Sequence, residues 1–246
     1  IARALHDRGF EVLCLNKMGG SIYPKVDTSD YDIAKEIDGV KYIQYQGIYG
    51  AEEENALLKH HFDRFTKLFQ VYRPAWVLST ADYAVSLPAW LAAKHLEIPF
   101  YIEFRNFKES HHDVLESSWS NSPQSKIEVE RNAFAPQMAL KVFTLNQSSK
   151  NELIKRGVSA NSIETGTSDS PQCLGALIAY ELSDSYSTAR TLFYEEGRLS
   201  DALLILKSLI RNGIIFDKSQ REFSAFVQGL ARRKCGWKLP PRKPNA

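Results

Sequence analysis

With 246 residues, a formal net charge of +2, 43% hydrophobic and 24% charged residues, the chain has the composition of an ordinary globular protein. It makes one large domain or two small ones, and its near-neutral charge excludes a general nucleic-acid binder. The three cysteines, Cys14, Cys173 and Cys235, are far apart and form no C-x-x-C pair. This excludes a disulfide framework and a structural zinc, and fits a reduced, cytoplasmic setting.

No apolar run reaches the roughly 18 residues of a membrane span, and no basic stretch followed by an apolar core opens the sequence. The charge is unevenly spread. From Arg232 onward the segment RRKCGWKLPPRKPNA carries six basic residues and no acid, so removing these six charges from the total of +2 leaves the rest at −4. Such a Pro-containing basic tail reads as a disordered end, with contact to acidic lipid head groups as the rarer alternative.

In chain order, IARALHDRGFEVLCLNK reads as the end of a helix, a turn at Gly9 and a strand at Glu11–Lys17. The sequence thus enters in mid-pattern, as a fragment would. The loop MGGSIYPKVDTSDYD follows, and then a short extended segment at Val40–Gln46. Ala51–Val71 is helical, because Leu58, Phe62, Phe65 and Phe69 share one face. Ala75–Thr80 is a strand, Asp82–Leu96 a helix and Pro99–Glu103 a strand of the fully buried type. The polar insert His111–Ser125 reads as mobile.

Ile127–Leu140 is again helical, with a kink expected at Pro136. Lys141–Leu145 is a strand. Ser149–Arg156 is a helix that a capping box of Ser149 and Glu152 would open. ETGTSDSPQ reads as a linker. Three helical stretches follow, at Cys173–Glu196, Leu199–Asn212 and about Ser219–Lys234. The segment LFYEEGRLSDALLILKSL predicts two amphipathic helices joined through Glu-Gly-Arg. It resembles a single tetratricopeptide-type hairpin, with Gly197 at the turn and Ala202 at the close-packing position. Arg190 stands where that pattern expects glycine. The hairpin reads equally as a cap on the preceding domain or as a surface for a protein partner.

Alternating strands and helices build a parallel sheet, and such sheets place ligands beyond the carboxyl ends of their strands. The candidate residues follow from that rule. In Tyr101–Glu109, a strand end carries Glu103, Arg105 and Glu109. A guanidinium held between carboxylates can grip hydroxyls or a phosphate, or can simply form an ion pair that orders the loop. Thr80 and Asp82 end the preceding strand, and Asn146 follows the next. Asp82 and Asn146 can accept a hydroxyl or cap the helix that follows, and capping is the commoner role at such a junction.

His111, His112 and Asp113 are adjacent on a polar loop and read as solvated surface rather than metal ligands. His60 and His61 belong to a helix already explained by its apolar face. No G-x-G-x-x-G, Walker or G-x-S-x-G pattern occurs.

The runs RPAWVLSTADYAVSLPAWLAAKHLEIPFYIEFRNFKE and ERNAFAPQMALKVFTLNQSSKNELIKRGVSANSI resemble the N-terminal, acceptor-side domain of family 4 glycosyltransferases of the GT-B fold. The resemblance rests on Glu103-Phe104-Arg105, on Lys141-Val142-Phe143-Thr144-Leu145 and on Arg156-Gly157-Val158, and it spans about Ile1 to Ile163. It implies a Rossmann-like parallel sheet over residues 1–165 whose first strand is missing. A linker at 166–172, a small all-α segment at 173–234 and a basic disordered tail at 235–246 would follow.

The resemblance also implies a glycan or lipid-linked sugar acceptor lined by Thr80, Asp82, Glu103, Arg105 and Asn146. The complete enzyme would use a nucleotide-sugar donor. The donor-side half is not found in the sequence, for no glutamate has another eight residues on, the spacing of the family's donor-site pair. The expectation is an acceptor-binding half that transfers no sugar alone, needs no cofactor of its own and sits in the cytoplasm or at the inner membrane face. The alternative is a non-catalytic scaffold whose hairpin at 185–212 binds a protein. In the doubly wound order the missing strand would be central, so its absence should leave unpaired, aggregation-prone edges.

Overall fold

A computed structural model of the chain describes residues 1–17, 33–45, 54–80, 82–105, 107, 122–166, 185–195, 197–211 and 218–235. The fold is mixed α/β, and its strands form two sheets. In the smaller sheet, β1 (Leu13–Lys17) runs parallel to β3 (Val40–Tyr45), and β2 (Ile33–Ile37) runs antiparallel to β3. The helix α1 (Ala2–His6) precedes β1.

The strand β2 was not expected. Its register with β3 places Ile37 opposite Val40 across an Asp38-Gly39 turn, with both residues at positive φ (51° and 78°). Asp-Gly in that conformation gives the tight turn whose twist matches a β-hairpin. The expected extended segment is therefore the middle strand of a sheet over Val40–Tyr45, and Gln46 lies outside the described residues.

The larger sheet is wholly parallel, in the order β4 (Val77–Thr80), β5 (Phe100–Phe104), β6 (Val142–Thr144), β7 (Ile163–Thr165). The last strand lies where the sequence suggested only the approach to a linker. Every residue of β5 is buried, as a central strand covered on both faces requires. Its residues divide by parity. Phe100, Ile102 and Phe104 enter one core and Tyr101 the other.

The first core is closed by α2 (Glu54–Tyr72), α3 (Tyr83–His95), α4 (Pro123–Met138) and α5 (Gln147–Lys155), through Phe65, Phe69, Ala92, Ala135 and Leu153. The alanines on α3 and α4 let these helices lie close to the sheet. On α2 the buried face is His61, Phe65, Leu68 and Phe69, one step round from the face that the apolar residues alone suggested. The buried His61 keeps a polar contact, its Nδ1 lying 3.4 Å from the Tyr45 hydroxyl.

The second core lies on the opposite side of the larger sheet. It is closed by α1 through Leu5 and by three later helices, α6 (Ser185–Tyr194), α7 (Leu199–Arg211) and α8 (Lys218–Cys235). Their residues Ala189, Leu192, Ala202, Leu206 and Val227 pack with Tyr101 and Phe143 of the sheet. Helices α6 and α7 form the expected hairpin, with Gly197 at φ 65° in the turn and Ala202 fully buried. The hairpin is pinned from α7. Ser208 Oγ donates to the Ala75 carbonyl, the Arg211 guanidinium donates to the Leu96 carbonyl, and Lys207 pairs with Glu97. The hairpin thus packs on the sheet as a cap.

Other expectations need correction. No Ser149–Glu152 capping box opens α5. That helix begins two residues earlier, and Asn146 is its N-cap, accepting from the Ser149 backbone N–H. Asn146 wins because a short side-chain amide at that position reaches the free N–H directly. The helix α4 starts at Pro123, capped by Ser122, so the last residues of the presumed mobile insert are helical and Ser125 is buried. The rest of that insert lies outside the described residues, as do His111, His112, Asp113, Glu109, and 167–172 and 236–246 of the linker and tail.

Candidate functional site

The carboxyl ends of β4, β5 and β6 bring part of the expected set together. The register pairs Thr80 with Glu103 and Glu103 with Phe143, so these residues stand side by side on the face of the second core. Glu103 is 6% exposed and Thr80 is exposed. Arg105 reaches back over Glu103 with two bonds, Nε to Oε1 at 2.6 Å and Nη2 to Oε2 at 3.1 Å. The hydrogen bond that Arg105 donates to Glu103 pushes the Arg105 pKa up, against a smaller opposing effect of burial. The fork satisfies a carboxylate that could not otherwise be buried. It also leaves the outer part of the guanidinium in solvent, since the Arg105 side chain is 62% exposed. The ion-pair reading of this segment is thus realised, and an anion can still approach from outside.

Asp82 and Asn146 are helix caps. Asp82 Oδ1 accepts from the Ala84 N–H at 3.1 Å and opens α3, and Asn146 Oδ1 accepts from the Ser149 N–H at 2.9 Å and opens α5. Both stand at the sheet's carboxyl edge, Asp82 tied to α3 and Asn146 to α5.

Asn146 borders a recess that sequence reasoning did not find. It has a volume of about 420 Å³ and is lined by Phe107, Asn146, Ser148, Ser149, Asn151, Glu152 and Lys155. Its aromatic wall is fixed from behind. The Phe107 ring lies 4.6 Å from that of Phe104, and the Arg156 guanidinium stacks 4.1 Å over it. Arg156 also binds Glu152 at 3.0 Å and holds the Glu152 carboxyl below its ordinary pKa. An aromatic face beside hydroxyls, amides, a carboxylate and an ammonium suits a ligand with both C–H faces and hydroxyl edges. The sequence signal was the polar run Asn146–Asn151 after a strand, but nothing in it could place Phe107 opposite.

Two further hydroxyls went unnoticed. Thr144 and Thr165 are register partners at the ends of β6 and β7. The Oγ1 of each is buried without a hydrogen-bond partner among the described residues. Buried hydroxyls in that state cost stability unless water or a ligand completes them. Among the described residues no group of three His, Cys, Asp or Glu side chains could hold a metal ion. No described helix is long and apolar enough to cross a membrane.

No family model matches the chain, and no curated protein matches it.

Proposed function

We propose that the chain is the acceptor-binding half of a glycosyltransferase-type protein: a GT-B N-terminal domain with a helical cap. It binds a glycan or lipid-linked sugar at the carboxyl edge of the parallel sheet. The observation that carries this reading is the recess of Phe107, Asn146 and the first turns of α5, placed where parallel sheets hold ligands. A sugar ring would lie on Phe107, its hydroxyls bonded by Ser148, Asn151 and Glu152. Arg105, beside the recess in sequence and partly free of Glu103, would take an acceptor phosphate or carboxylate. Thr80 would bond hydroxyls at the far side. The nucleotide-sugar donor would belong to a second half, so these 246 residues bind without transferring.

The test is a titration of mono- and disaccharides and their 1-phosphates, followed by NMR. Binding should shift the amides of Asn146–Asn151, Phe107→Ala should weaken every sugar about tenfold or more, and Arg105→Ala should weaken only the phosphorylated ones. Saturating sugar phosphate that leaves those amides unmoved would sink the reading, as would nucleotide-sugar turnover by the chain alone.

The scaffold alternative draws on Tyr194 of α6, which is 61% exposed beside Phe193. A truncation cannot test it, because removing the helices would uncover Tyr101, Leu140 and Phe143 of the second core. A Tyr194→Ser substitution would keep Tyr101, Leu140 and Phe143 covered, at the cost of the Tyr194 stack on Phe223. Loss of a protein partner on this change, with sugar binding unaltered, would favour the scaffold.

A further inference from the structure

Two hydroxyls at the ends of β6 and β7 are not used by the sheet. Thr144 and Thr165 are register partners, and Phe104 is the partner of Thr144 on β5. Side chains alternate across a pleated strand, so Thr144 faces the same way as Val142, and Thr165 the same way as Ile163. Val142, Ile163 and Phe104 all pack into the first core. Both threonines therefore face the layer of α5, whose Leu153 enters that core. Thr144 is fully buried, and the Oγ1 of each threonine is closed to solvent with no hydrogen-bond partner among the described residues.

The helix α5 begins directly over them. The chain leaves β6 at Thr144, is capped at Asn146 and turns back across the first-core face, where Lys150 Nζ donates to the Ile163 carbonyl at 2.8 Å. In such a strand-to-helix unit, the last strand residue that faces the helix lies under the helix's first turn. That turn has donors to spare. Asn146 Oδ1 takes the Ser149 N–H, and the Asn146 carbonyl takes that of Lys150. The N–H groups of Gln147 and Ser148 are left without an acceptor among the described residues.

The local charge favours the same kind of ligand. From Gln147 to Arg156 the chain carries Lys150, Lys155 and Arg156 against one acid, Glu152. Glu152 is itself held by Arg156 at 3.0 Å and by Lys155 at 3.6 Å. The acid of β7, Glu164, is the register partner of Phe143, which enters the second core. It therefore stands on the opposite face, where Lys141 pairs with it at 3.1 Å. Hydroxyl and amide donors converging at a helix start, amid an excess of positive charge, are the groups that hold a tetrahedral oxyanion.

We propose that the first turn of α5 and the Thr144–Thr165 pair form an anion site whose ligand is a phosphate group. The N–H groups of Gln147 and Ser148 and the two threonine hydroxyls donate to its oxygens. The recess lined by Asn146, Ser148 and Ser149, which opens two residues beyond Thr144, is the entry. Because both threonine oxygens are sealed, the first turn of α5 shifts outward to admit the ligand. The site is separate from the Arg105 fork, which is tied to Glu103 of the other face, and it stands whether or not the Phe107 wall binds sugars.

The test uses inorganic phosphate alone, titrated into the 246-residue chain at an ionic strength held constant with chloride. Amide NMR and the thermal midpoint are the readouts. The Gln147 and Ser148 amides should shift saturably, and the midpoint should rise with phosphate. Thr144→Val keeps the side-chain shape and removes the hydroxyl. It should raise the midpoint in phosphate-free buffer, because an unpartnered buried hydroxyl is gone, and it should weaken phosphate about tenfold or more. Thr144→Ser should restore the binding. Thr165→Val should act in the same direction, and it decides the matter if Thr144→Val does not fold. A hydroxyl with a purely structural role gives the opposite pattern: a lower midpoint for Thr144→Val and an unchanged phosphate affinity, which overturns the proposal. So do amides that stay still at saturating phosphate, and amides that chloride shifts equally. Loss of phosphate binding in Arg105→Ala would place the anion at that guanidinium and overturn it too. Phosphate binding that persists where no sugar binds would dispose of the sugar reading and leave this site standing.

Discussion

Two buried polar residues show how single side chains were treated by this fold. Glu103 is nearly sealed, and Arg105 meets it with a forked pair from the solvent side, so the carboxylate is hydrogen-bonded through both oxygens and the guanidinium keeps an open face. The Tyr45 hydroxyl lies 3.4 Å from His61 Nδ1, and burial pushes its phenol up to about 12. An unfolded tyrosine titrates near 10, so the folded state holds its proton more tightly. The stability from the neutral phenol is complete below pH of about 10 and is lost as pH rises towards about 12, on the order of 2–3 kcal/mol across the window. Urea midpoints measured from pH 9 to 12 should fall steeply for the native chain and less steeply for Tyr45→Phe. The same slope in both proteins would mean that other groups govern alkaline unfolding.

Single elements show where local sequence was sufficient and where it was not. The helix α5 was legible as a helix, but its start was misplaced because Ser149 and Glu152 fit the spacing of a capping box. The structure gives the cap to Asn146 and gives Glu152 to Arg156. Asn146→Ala should therefore cost about 1 kcal/mol. For Ser149→Ala, which removes a hydroxyl but not the backbone N–H that is capped, the change should stay within about 0.5 kcal/mol. Equilibrium denaturation of both variants decides, and a larger loss for Ser149→Ala would restore the capping box.

In the larger sheet, β4 to β6 were readable because a strand buried on both faces is a continuous apolar run, as in Phe100–Phe104. The strand β2 was not, since its residues Ala34, Lys35 and Glu36 lack any apolar alternation; only Asp38-Gly39 marked it. The Thr80–Glu103 neighbourhood followed from the rule about strand ends. The Phe107 wall did not, because its position depends on stacking between Phe104 and Arg156, groups remote from it in pattern though one is near in sequence.

At the scale of the whole molecule, the helical hairpin is not an appendage in energetic terms. Leu206 of α7 is fully buried in the same core as Tyr101 of β5 and Phe143 of β6. The hairpin is also bonded to the backbone at Ala75 and Leu96, on either side of β4 and α3. One face of the central strand is thus completed by residues that lie a hundred positions later in the chain. A cavity made in α7 is therefore felt in the sheet. Leu206→Ala should destabilise the chain by about 2–5 kcal/mol, the usual cost of removing a buried leucine.

The diagnostic part of that prediction is where the loss appears. Amides of Phe100–Phe104 and Val142–Thr144 should lose hydrogen-exchange protection by the same factor as those of Leu199–Arg211, because the three elements open together. A hairpin that merely rested on the sheet would open alone, with α7 losing protection while β5 and β6 kept theirs. Ile210→Ala is the control within the same helix. Ile210 is 47% exposed, so its truncation makes no cavity and should leave the protection of β5 and β6 unchanged. Equal effects from the two substitutions would show that helix propensity, and not the shared core, ties the hairpin to the sheet.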